Sequence, residues 1–72
     1  MQRNEAIAQL KHLREVLEQN TVNLWERKKY VWFADDTLHE YSRCSTSIRV
    51  YYVEETTQGS GDYVIKKEWE RL

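Results

Sequence analysis

Asp35, Asp36, His39 and Glu40 form the tightest polar cluster in the chain. Their carboxylates and imidazole are donors that hard or borderline cations accept. Two adjacent aspartates between β-rich runs are also ordinary hairpin residues, favoured for backbone reasons, so no metal site is assigned. Cys44 and His39 are the residue types of a thiol–imidazole nucleophile. They lie five apart on one expected strand and point to opposite faces, so they are not expected to meet. Gly59-Ser60-Gly61 lacks the Lys-Ser/Thr and the following helix of a phosphate loop, and reads as the loop of a hairpin. His12 falls on the solvated side of a helix. A sheet within 72 residues has little room for a deep, water-excluding pocket. The expectation is a non-enzyme with no catalytic residues, no cofactor and no metal.

What remains is a set of aromatic residues interleaved with cations, and its meaning depends on the elements that carry it. Residues 4–20 read as a helix. Ala6, Leu10, Leu13 and Leu17 fall in one stripe, widened by Ile7 and Val16, with Gln9, Lys11, Arg14, Glu15 and Glu18 opposite. Asn4 suits the N-cap, Glu5 suits the positive end of the helix dipole, and Asn20 suits a left-handed C-terminal position. The stripe is too short for a sustained coiled coil.

Beyond residue 20 the period changes to two. Strands are expected at 29–34, 38–44, 48–56 and 62–69, separated by turns at Asp35-Asp36-Thr37, Ser45-Thr46-Ser47 and Thr57 to Gly61. In the last segment Ile65, Trp69 and Leu72 also fit a helical face. The glycine loop favours a strand, because it delivers the segment back onto the strand before it. Short connections imply an antiparallel meander. The fold class is α+β, one domain over 1–72, with the N-terminal amphipathic helix packed on a three- to four-stranded sheet.

A single helix covers one face of such a sheet. The more apolar set is expected beneath it: Ala6, Ile7, Leu10, Leu13, Leu17, Val31, Phe33, Leu38, Ile48, Val50, Tyr52 and Ile65. Leu24, Trp25 and Trp69 are expected to seal the ends. The open face then carries Tyr30, Trp32, His39, Tyr41, Arg43, Arg49, Tyr51, Val53, Val64 and Lys66. Such pairs stabilise sheets by themselves, but an aromatic surface this wide is unusual on a small monomer. Tyr, Trp and Arg are also the types enriched at interface hot spots. Trp32, His39, Tyr41, Arg43, Arg49, Tyr51 and Lys66 are the candidate partner-binding residues.

Bulk properties narrow the partner. Eleven basic residues against twelve acidic ones give a net charge of −1, unlike a basic duplex binder. One cysteine excludes an internal disulfide framework and a Cys-only zinc site. No apolar run approaches a membrane span, and no apolar signal core follows the first residues. A reduced, cytoplasmic setting is expected. Two basic runs, at 26–29 and at Lys66-Lys67, read as solvated edges. In size and texture the chain resembles the small single-domain proteins of phages and mobile elements, many of which act as stoichiometric inhibitors or regulators of larger complexes. That likeness carries no motif and assigns no residue. The expected function is binding to a larger protein or complex through the aromatic and arginine face. The alternative is single-stranded nucleic acid (RNA) on that face, with bases stacked on the rings. A homodimer through the open face is the expected assembly.

Overall fold

The computed structural model describes residues 1–19, 29–42 and 45–71. A helix α1 (Arg3–Gln19) is followed by strands β1 (Lys29–Ala34), β2 (Thr37–Ser42), β3 (Ser47–Glu55) and β4 (Tyr63–Arg71). The strands form one antiparallel sheet in the order β1-β2-β3-β4, a meander with α1 against one face. The ambiguous last segment is a strand, in continuous register with β3 from Ser47↔Arg71 to Glu55↔Tyr63. Leu24, Trp25, Arg43 and Cys44 lie outside the described residues.

Turn chemistry sets the hairpins. Asp35 and Asp36 connect β1 to β2 with φ of 51° and 57°. Two successive positive φ values define a type I′ turn, whose twist matches the flanking strands. Aspartate is among the few non-glycine residues that tolerate this region. Arg3 donates to Asp36 at 3.1 Å, fastening the start of α1 to that turn. Residues 56–62 connect β3 to β4, with Gly59 and Gly61 at φ of 81° and 73°. The Thr56 N–H donates to the Asp62 carbonyl at 2.8 Å and closes this hairpin. The chain start is tied to the same place: the Met1 ammonium meets the Asp62 carboxylate, and the Tyr63 N–H donates to the Met1 carbonyl at 2.6 Å.

The core lies between α1 and odd-numbered residues of β1, β3 and β4, with even-numbered ones of β2. Ala6, Leu10, Leu38 and Tyr51 are buried. Ile7, Leu13, Leu17, Val31, Phe33, Val53 and Ile65 pack around them. The register explains the set, because Phe33 sits opposite Leu38, Leu38 opposite Tyr51, and Val53 opposite Ile65. Fully burying one such side chain is worth roughly 1.5–3 kcal/mol.

Two expectations are corrected here. Ile48, Val50 and Tyr52 do not face the helix; Arg49, Tyr51 and Val53 do. A one-residue shift in a strand exchanges its faces, and β3 carries apolar residues on both. The connection 56–62 contains an odd number of residues, so odd positions of β3 meet odd positions of β4. Ile65 beneath the helix therefore requires Val53 there too. Trp69 shares that face but does not seal the core; it is 62% exposed.

Candidate functional site

The sheet has two unlike polar and aromatic surfaces, one on each side. On the helix side, the row Glu40–Arg49–Trp69 continues the covered face past its apolar part. Glu40 is 7% exposed, and a buried carboxylate requires partners to offset its lost hydration. Lys29 Nζ lies 3.1 Å from one oxygen and Arg49 Nη1 3.7 Å from the other. The Tyr51 hydroxyl donates to Glu40 at 3.4 Å and accepts from Arg49 at 3.5 Å. That bond, ahead of the nearby Glu40 charge, holds the Arg49 guanidinium above its ordinary pKa. Arg49 also lies over the Trp69 ring at 4.4 Å, a cation–π contact. An open recess of about 140 Å³ adjoins this group, lined by Ser42, Ser45 and Ser47 as well. The cations here face a carboxylate on their own sheet, so the arrangement is structural first.

On the other side stand Tyr30 and Trp32 of β1, His39 and Tyr41 of β2, Ile48, Val50 and Tyr52 of β3, and Val64 of β4. No described element covers them. Tyr30 is 49% exposed and Trp32 37%. Direct register partners stack: Tyr30 on Tyr41 at 6.2 Å between ring centroids, and Trp32 on His39 at 5.1 Å with planes 9° apart. Each ring thus packs against its cross-strand partner. His39 is half-buried in this stack, and its Nδ1 has no hydrogen-bond partner among the described residues.

The β4 side of the open face is charged. Tyr52 donates its hydroxyl to Glu68 at 2.8 Å. That hydrogen bond to a carboxylate raises the phenol pKa above its ordinary value. Lys66 pairs with Glu54 at 3.8 Å. Glu54, Glu68 and Glu70 thus share this face with one described cation, Lys66. An aromatic half beside an acidic rim is the resulting pattern.

Of the seven candidates from the sequence, Trp32, His39 and Tyr41 come together on the open face, and Lys66 lies at its β4 border. Arg49 and Tyr51 do not join them: they stand on the helix side, and Tyr51 is 8% exposed. The cause is the β3 face exchange. Arg43 lies outside the described residues. The sequence reading put Ile48, Val50 and Tyr52 under the helix and so missed them as open-face residues, and it gave no role there to Glu68 or Glu70. The signal that places them is the alternation of β4, carried across the hairpin once its closing residues are known.

The polar cluster at 35–40 does not converge. Asp35 and Asp36 occupy the turn, while His39 and Glu40 point to opposite faces of β2. Among the described residues no three His, Cys, Asp or Glu side chains are grouped to hold a metal ion. No helix among them is long and apolar enough to cross a membrane.

No protein-family model, curated protein or solved structure matches the chain.

Proposed function

We propose that this protein is a non-enzymatic, cytoplasmic binding protein that acts stoichiometrically on a larger protein or complex, as an inhibitor or regulator. Its contact surface is the open sheet face, anchored by Trp32, Tyr41 and His39 with Tyr30 and Tyr52. The observation that carries this reading is the pair of stacks Tyr30–Tyr41 and Trp32–His39, with the Tyr30 and Trp32 rings exposed on a face that nothing described covers. Rings packed against a cross-strand neighbour have less freedom left to lose on binding, which favours affinity. The acidic rim of Glu54, Glu68 and Glu70 selects a partner whose apolar patch is bordered by lysine or arginine.

The same rings could stack single-stranded bases. Phosphates need cations close to those bases, and Arg49 lies on the other side while Lys66 is engaged by Glu54. Among the described residues the charge balance of this face therefore favours a protein partner. Pairing of two open faces across a two-fold axis is the competing use of these aromatics.

The test is quantitative capture of partners by wild type, by Trp32→Ala/Tyr41→Ala, and by Lys11→Ala/Glu15→Ala on the outer side of α1. The aromatic double variant should keep its fold and lose at least about 2 kcal/mol of binding, while the helix variant binds as wild type. Equal binding by all three overturns the assignment. Anisotropy with a labelled single strand addresses the second reading, which requires binding that weakens steeply with salt.

A further inference from the structure

We propose that the outer edge of β4 pairs antiparallel with β4 of a second copy, centred on Lys67, extending two four-stranded sheets into one. β4 ends the sheet and has no described neighbour on its outer side along 64–71. Its backbone alternates between inward and outward hydrogen bonds. Thr56 N–H bonds the Asp62 carbonyl across the hairpin, and the Tyr63 N–H points outward to Met1. The outward groups that follow belong to Ile65, Lys67 and Trp69. β4 contains neither proline nor glycine, and its register with β3 is unbroken. A long, regular edge of this kind is a template for another strand.

The side chains identify that strand as β4 itself. With Lys67 opposite its own copy, Ile65 meets Trp69 and Lys66 meets Glu68, each contact occurring twice by symmetry. Ile65 and Trp69 share the helix side, so the exposed Trp69 ring gains an apolar neighbour. Lys66 and Glu68 share the open side and fall in the non-hydrogen-bonded pairs, where side chains approach most closely. Lysines guard an edge against strands that bring like charge; this register brings glutamate to Lys66 and leaves only the long Lys67 stems to diverge. The contact between Met1 and Tyr63 bounds the pairing at Val64 and Glu70. Both helices lie on one side of the joined sheet, and both open faces lie on the other. The pairing leaves the aromatic rings uncovered and engages only Lys66 and Glu68 at the β4 border of that face.

Sedimentation equilibrium of the full chain over a micromolar concentration series tests it, with folding checked by circular dichroism. Wild type should dimerise. Glu68→Lys places lysine opposite lysine twice and should raise the dimer Kd about tenfold. Lys66→Glu/Glu68→Lys exchanges the charges and should restore dimerisation. Lys67→Pro removes an outward N–H that β3 does not use, a substitution edge strands accept, and should give a folded monomer. The charge exchange decides the matter if the proline variant fails to fold. A wild-type monomer throughout the series overturns the proposal. So does a dimer that Glu68→Lys leaves intact, or one that Trp32→Ala/Tyr41→Ala dissociates.

Discussion

The two faces of the sheet use similar residue types for opposite ends. Tyr51 and Tyr52 are chain neighbours. Tyr51 is buried against α1 and its hydroxyl closes a bond to Glu40, while Tyr52 sits on the uncovered side and bonds Glu68. Leu38 and His39 are divided in the same way, the first fully buried and the second stacked on Trp32. Composition does not separate a residue that holds the fold together from one left available for contact. The side of the strand does.

Substitutions at neighbouring positions break that comparison most sharply. Leu38→Ala removes a fully buried side chain and should cost about 2–5 kcal/mol in denaturant unfolding, whereas His39→Ala should cost under about 1 kcal/mol. Equal losses would mean that the open face is part of the core. Next in size is Glu40→Ala, which leaves Lys29, Arg49 and the Tyr51 hydroxyl without their common acceptor. Loss of that acceptor should cost about 1–3 kcal/mol, read from the shift in unfolding midpoint. Glu68→Ala, a carboxylate on the open side, should fall well below it.

The Tyr52–Glu68 bond sharpens the contrast through pH. The protonated phenol is the bonded form and its folded pKa is raised. Its contribution is therefore fully present below the unfolded tyrosine pKa of about 10 and is lost as pH rises through the higher folded value. The stability difference between wild type and Tyr52→Phe should be constant at neutral pH and shrink in alkali. A constant difference across that window would remove the bond from the account. The smallest effect is expected at Arg3, whose exposed pair with Asp36 is worth about 0.2–1 kcal/mol, measurable as the difference between Arg3→Ala and wild type at low and high salt.

Much of this arrangement was legible in the residues. The stripe of Ala6, Leu10, Leu13 and Leu17 marks α1, and Val31 and Phe33 against Tyr30 and Trp32 mark the two sides of β1. β3 was not legible in the same way. Ile48, Val50 and Tyr52 alternate with Arg49, Tyr51 and Val53, and local apolarity barely distinguishes the two sets. What separates them is remote: the closing residues of the 56–62 loop, and the partnership of Glu40 with Arg49 across β2 and β3. A charged residue reads as solvent-facing unless its counter-ion is known. Arg49 is placed on the helix side by a glutamate nine positions earlier and a tryptophan on the next strand. The open-face acidic rim was hidden for the same reason, since Glu68 and Glu70 gain meaning only beside Tyr52 and Ile48.

The meander order has a kinetic consequence. Every strand pairs with its chain neighbour, so each sheet contact closes over a short loop at little entropic cost. Hairpins of this kind are able to form in about 1–10 μs. The β3–β4 hairpin, nine residues per strand, is the natural first structure. Docking of α1 must instead bring Arg3 to Asp36 and Leu10 to Leu38 and Tyr51 across much of the chain. The sheet can thus assemble before the helix selects a side, and until it docks both faces are in water. The face that α1 claims is the one bearing Leu38 and Tyr51, so unfolding should begin with release of that helix and expose them first.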